Sequence, residues 1–229
     1  MISEQISIFD FPKDLQTRGC PVCNYISQSV FDFFASWVCN LDMNEKTQLE
    51  NAAEMGLCPC HTWQLAAMAS PQGISRGYAP LMDHLSNKLM DLANSQQNPE
   101  HQIGVFVNNY KKCRVCIIMK NQEVLYLKHF KAFLDETEGR RLYSSSHGLC
   151  LCHLFHIIEI ISLKNIVQFL LLEAAKHFKE TAEDMRQYAL KHETLQKSLC
   201  SRDEKDAYLR GLRHIAGSRG IAGSLLIDI

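Results

Sequence analysis

The chain has 229 residues, 46% apolar and 21% charged, enough for one or two globular domains with a core of useful size. Its net charge is −1, which excludes the strongly basic balance expected of a nucleic-acid binder or of a protein held on an anionic membrane surface. Ten cysteines are far more than packing alone explains.

The N-terminus, MISEQISIFDFPK, lacks a basic stretch followed by an apolar run, so no secretory signal is expected. Residues 20–23 then read Cys-Pro-Val-Cys. Beyond Cys23, Ile26, Val30, Phe33, Trp37 and Leu41 form a helical stripe. A shorter helix is predicted over Glu45 to Glu54, with Gly56 as its stop. Residues 56–61 read Gly-Leu-Cys-Pro-Cys-His; a helix starts near Cys60 and His61, runs through Met68, and breaks at Ser70-Pro71 and Gly73. Leu81, Leu85 and Leu92 mark a further helix. The polar segment Asn94 to Gly104, with Pro99, is expected to be a linker, with Ile103 to Val107 a candidate extended stretch.

The order then repeats. Residues 113–116 read Cys-Arg-Val-Cys, Val124, Leu127, Phe130 and Leu134 mark a helix, and residues 148–153 read Gly-Leu-Cys-Leu-Cys-His between Gly148 and the next helix, with Gly139 also flanking the return. The first elements are offset by 93 residues and the second by 92, and five of the six residues in Gly-Leu-Cys-x-Cys-His are identical, so the chain is read as a duplicated module. The expected division is a first Cys/His module over 1–98 and a second over 99–229. The most apolar stretch, Ile157 to Leu172, is interrupted by Glu159, Lys164 and Asn165, so no membrane span is expected. A long helix follows over Lys164 to His192, with Leu171, Ala175, Phe178, Ala182, Met185 and Ala189 as its packing stripe. Ser201 with Glu204 forms a capping box that opens a last helix to Ala216, stopped by Gly217. The fold class is therefore all-α: two duplicated helical modules, each clamped by a Cys/His site, with a long C-terminal helix.

Short-spaced cysteine pairs in a chain without a secretory signal argue for cytoplasmic metal or redox chemistry rather than structural disulfides. Cys-x-x-Cys presents two thiolates to one ion, at about 2.3 Å each for zinc. The 34 residues between Cys23 and Cys58, and the 33 between Cys116 and Cys150, suit a helix of about 20 residues, about 30 Å long, that turns and returns to its start. The expected ligand sets are thus Cys20, Cys23, Cys58 and His61, then Cys113, Cys116, Cys150 and His153. Metal binding to such sites contributes roughly 10 kcal/mol or more to the folded state, as in zinc-finger peptides. Cys60 and Cys152 are candidate additional ligands. Replacing each His by one of them gives four thiolates, a set that holds zinc or a [4Fe–4S] cluster. Haem attachment needs Cys-x-x-Cys-His, and the spacing here is one residue short. A thioredoxin-like pair needs an α/β setting that the pattern lacks.

His153, His156 and Glu159 share one helix face, read as an ordinary face or as a shell around a metal ligand. Glu173, His177, Glu180 and Asp184 lack the Glu-x-x-His spacing of di-iron bundles and read as a solvated face. Cys39 and Cys200 read as core or surface thiols. The tail Gly217 to Gly223 lacks the Lys and Ser/Thr placement of a phosphate loop. The segment Lys111 to Arg141 carries eight basic against four acidic residues, a solvated helix face rather than a nucleic-acid surface.

At the doubled motif the sequence resembles an uncharacterised family of prokaryotic proteins, a domain of unknown function with paired Cys-Pro-x-Cys and Gly-Phe-Cys-x-x-His elements. Residues Cys20 to Cys23 and Gly56 to Trp63 are similar to its first pair, and Cys113 to Cys116 and Gly148 to His153 to its second. Tyr188 to His192 and Tyr208 to Gly217 are similar to its ending. The resemblance implies Cys58, His61, Cys150 and His153 as ligands and implies no activity. The chain departs from it by carrying Cys60 and Cys152. The leading expectation is two zinc ions in a non-catalytic helical protein that binds a protein partner, since a closed four-ligand site leaves no open position for chemistry. The alternatives are an iron–sulfur or redox-active protein in electron transfer or oxidant sensing, and an enzyme or metal carrier that uses the surplus thiols.

Overall fold

The computed structural model describes residues 9–95, 98–107, 113–193 and 197–216. Among them there is no strand, as the absence of apolar–polar alternation predicts. The helices are α1 Phe11–Gln16, α2 Pro21–Met43, α3 Glu45–Ala53, α4 Pro59–Met68, α5 Pro71–Ala93, α6 Pro99–Val107, α7 Arg114–Asp135, α8 Thr137–Ser144, α9 Leu151–Ile160, α10 Lys164–Glu193 and α11 Arg202–Ala216. Among the described residues no helix is long and apolar enough to cross a membrane.

The chain forms two compact units. One is built from Met1–Ser27 and Gln122–Ile229, the other from Gln28–Asn121. These are not the linear halves 1–98 and 99–229. Both boundaries fall inside long helices: α2 gives its first turns to one unit and the rest to the other, and so does α7. Linker chemistry at residues 94–104 therefore does not mark the division. Pro99 opens α6 there instead, its fixed φ suiting a first helical position, so the linker and the extended stretch are both replaced by a helix over Pro99–Val107.

In the first unit, Phe9, Phe11, Tyr25, Tyr126, Phe130 and Phe133 form a connected set of edge and stacked ring contacts with centroids 4.9–5.9 Å apart. The Tyr126 hydroxyl donates to Asp14 at 3.2 Å, which satisfies its polar end inside this apolar cluster. Helix α11 packs along α10, and also against α9. The capping box forms as predicted: Glu204 N donates to Ser201 Oγ at 3.1 Å, and Ser201 N donates to Glu204 Oε2 at 2.9 Å. The packing stripe of α10 is Ile166, Leu170, Ala174, His177 and Thr181, one position earlier than predicted, and Leu171 is exposed. Steps of four and three occur in both registers, and the close approach of His177 to Gly148 belongs to the earlier one. Gly148 receives the His177 ring and Gly211 leaves room for Met185 and Thr181. His177 is consequently buried, which corrects the solvated-face reading. The predicted stop at Gly217 and the tail to Gly223 lie outside the described residues.

In the second unit, α3 packs on α5, and α2 supplies Val30, Phe34, Trp37 and Leu41 to the core. Phe34 takes the place predicted for Phe33. Gly77 lets the Leu41 side chain lie against α5.

Candidate metal centres

Two groups of cysteine and histidine converge. Cys20, Cys23, Cys150 and His153 lie in the first unit, all buried; Cys58, His61, Cys113 and Cys116 lie in the second, with Cys116 half-buried. In each group the ligand atoms lie within 4.8 Å of one another. The eight residues are those expected as ligands, but the pairing is crossed. Each Cys-x-x-Cys meets the Cys-x-Cys-His of the other repeat, which overturns the linear sets Cys20/Cys23/Cys58/His61 and Cys113/Cys116/Cys150/His153. The reason lies in the element lengths. At 1.5 Å per residue α2 covers about 34 Å while the return helix α3 covers about 14 Å, and α7 and α8 repeat the disproportion at about 33 and 12 Å. The hairpin that the loop length suggested does not close on its own start.

Local structure positions each candidate ligand at a helix N-terminus. Cys58 is the N-cap of α4 and Cys150 that of α9, and His61 and His153 follow in the first turns. Cys20 and Cys113 immediately precede α2 and α7, and their carbonyls accept the first helical bonds from Asn24 and Ile117. Each group is therefore made where two helix N-termini meet, and the positive ends of both dipoles favour thiolate over thiol. Gly56 and Gly148, at φ 74° and 72°, make the left-handed turn that lets the chain enter each Cys-x-x-His corner. In the second unit Arg114, between the two cysteines of its motif, forms a two-point ion pair with Glu54 and stacks over the Trp37 ring at 4.8 Å.

Each imidazole faces three sulfurs. His153 Nδ1 is 3.4, 3.3 and 3.2 Å from the Sγ atoms of Cys20, Cys23 and Cys150. His61 Nδ1 is 3.1, 3.4 and 3.4 Å from those of Cys58, Cys113 and Cys116. Cys23 and Cys150 Sγ are 3.8 Å apart, as are Cys58 and Cys116. A tetrahedron with bonds of about 2.3 Å to sulfur has S···S edges of about 3.8 Å, and with a nitrogen at about 2.0 Å its S···N edges are about 3.5 Å. The donor sets fit a single ion.

The electrostatics agree. Hydrogen bonds from Cys150 and Cys20 hold the Cys23 thiol far below its ordinary range, and Cys116 and Cys58 do the same for Cys113. Burial and the sulfurs of Cys150 and Cys23 push Cys20 up. At His153 burial favours the neutral ring, but the sulfurs of Cys150 and Cys23 and the Glu123 carboxylate outweigh it and raise the pKa to about 12. At His61 the same opposition, with Cys113 and Cys58, leaves it raised to about 9. Each cluster thus pairs one ionised sulfur, Cys23 or Cys113, with a protonated imidazole, while the thiol beside it, Cys20 or Cys116, is pushed up.

Cys60 and Cys152 belong to neither group: Cys60 is exposed and Cys152 half-buried. On the first turns of α4 and α9 they alternate with the inward-facing ligands. Cys39 is exposed and Cys200 buried. His156 and Glu159 are not a plain helix face. His156 Nδ1 is 3.3 Å from Glu159, and its Nε2 is 3.8 Å from the buried Glu123, whose same oxygen stands 3.3 Å from His153 Nε2. Glu123 carried no motif in the sequence. The signal that finds it is a carboxylate on the buried side of α7, where Val124 is the exposed neighbour.

A family profile covers residues 4–220. The chain belongs to the family of unknown function DUF6062. Membership agrees with the resemblance to an uncharacterised family and brings no activity with it. No curated protein and no solved structure matches the chain.

Proposed function

We propose that this member of the family is a cytoplasmic, zinc-stabilised helical protein that acts as an interaction or accessory module rather than as a catalyst. The observation that carries this reading is the closure of both clusters: three sulfurs and one Nδ1 stand at tetrahedral spacing for a single ion, and among the described residues no fifth ligand joins either group. A closed four-ligand site stabilises the fold and offers no position for substrate. Zinc suits a mixed thiolate and imidazole set. A [4Fe–4S] cluster places its irons between the thiolates and holds them wider apart than a single ion does, and each of these clusters has three thiolates rather than four. The spread of at most 4.8 Å therefore favours zinc over the iron–sulfur alternative.

A protein partner is supported by duplicated exposed aromatics. Trp63 and Phe155, equivalent at the 92-residue offset, each follow the ligand histidine by two residues and are 77% and 57% exposed. Large apolar side chains repeated at one exposed position suit contact with another protein. Elemental analysis of protein prepared without oxygen and without an affinity metal tests the metal assignment. About two zinc per chain is the expected result; iron with acid-labile sulfide contradicts it.

A further inference from the structure

The duplication makes the two clusters directly comparable, and they differ outside the ligands. In the first unit His153 turns Nδ1 to the sulfurs and Nε2 toward Glu123 Oε1 at 3.3 Å, with both residues buried. Glu123 lies ten residues past Cys113; the residue ten past Cys20 is Val30, also buried. The difference extends outward, because His156 corresponds to Gln64 and Glu159 to Ala67. Among the described residues no carboxylate stands within ion-pair distance of His61. The second cluster is also less sealed, since Cys116 is half-buried while all four residues of the first are buried.

Glu123 Oε1 and His153 Nε2 face each other at ion-pair distance, and neither makes a hydrogen bond to any described residue. A carboxylate that takes up the outer N–H of a ligating histidine when the ion is bound fixes its tautomer, locks its ring and strengthens its donor nitrogen, and its loss typically costs 10–100-fold in metal affinity. We infer that the two centres are inequivalent and that Glu123 is a positioning residue which, acting through His153, makes the Cys20/Cys23/Cys150/His153 centre the tighter and slower to release its ion. The inference rests on the zinc reading above.

The test is release of zinc from the full, loaded chain to an excess of a chromophoric chelator, after the zinc content has been measured. The expected result is two phases of one zinc each. Glu123→Val, which installs the residue found at the equivalent position, quickens the slow phase about 10–100-fold and leaves the fast phase alone. Glu123→Gln, which keeps an acceptor oxygen, falls between. In cobalt-loaded protein, Glu123→Val shifts the visible bands of one ion of the two, a change that a merely structural role does not produce. If Glu123→Val loses its helical signal, Glu123→Gln carries the test and its slow phase must still quicken. A single release phase in the parent protein, or a slow phase untouched by both substitutions, overturns the inference. Protein that neither contains nor takes up zinc overturns the zinc reading itself, and the metal analysis before chelation tells that outcome apart.

Discussion

Gly148 stands two residues before the capping thiolate Cys150, at φ 72°, and a Cβ built there meets His177 Cδ2 at 2.7 Å. Backbone strain and ring contact act together, so Gly148→Ala is expected to cost about 1–3 kcal/mol in urea unfolding of the metal-loaded chain. Cys60 and Cys152 mark the opposite case. They sit one residue from a ligand histidine, yet alternate away from the clusters. Cys60→Ser with Cys152→Ser is expected to leave metal content per chain unchanged, and loss of metal in that variant by elemental analysis contradicts the three-thiolate, one-imidazole sets. The eight residues that gather in the two Cys/His groups were legible as candidates because Cys-x-x-Cys and Cys-x-x-His are local: each puts two donors on one helical turn. The surplus thiols were not separable from ligands by spacing alone, since one residue of offset on a helix start decides which way a side chain points.

At the scale of elements, Gly77 on α5 faces Leu41 of α2, whose Cγ lies 2.2 Å from a Cβ built at that glycine. Alanine gains about 1 kcal/mol of helix propensity over glycine, but overpacking a filled core typically costs 1–3 kcal/mol. Gly77→Ala is expected to destabilise on balance, and Gly77→Ala with Leu41→Ala to lose less than the sum of the two single changes in a double-mutant cycle. Helix α10 carries a pH response. Burial lowers the pKa of His177 below its ordinary value, so the unfolded chain binds the proton more readily. The stability this residue contributes is present above about pH 6.5 and is lost as pH falls through that value toward the lower folded pKa. Acid also releases metal by protonating ligands, so the comparison must be between proteins. His177→Gln is expected to flatten the decline in unfolding free energy between pH 7 and 5 relative to the parent, and an unchanged slope contradicts the assignment. The start and stop of most helices were readable from caps and breakers, the capping box at Ser201 and Glu204 above all. The register of α10 was not, because steps of four and three fit two adjacent stripes and the contact that separates them, His177 against Gly148, joins residues far apart in sequence.

At the scale of the whole molecule, the duplication visible in the sequence is present, but the chain does not fold as two linear halves. Two Cys-x-x-Cys elements and two Cys-x-Cys-His elements admit a linear and a crossed pairing, and the shorter loops of the linear pairing favour it on closure entropy. Helix length decides the other way: α2 and α7 are each far longer than the helix that follows them, so each long helix opens at a cluster in one unit and ends in the other. Spacing fixes the local donor pairs, and the rigidity of the elements between them fixes which pairs meet. Crossed pairing also predicts cooperative behaviour, since each centre ties segments distant in sequence and removal of metal removes both ties.

The measurement that tests this account most directly is zinc per chain in two double variants. Cys23→Ser with Cys150→Ser damages one cluster twice and is expected to retain about one zinc. Cys23→Ser with Cys58→Ser damages both clusters and is expected to retain close to none. One zinc in the second variant and none in the first would restore the linear pairing and contradict the crossed one.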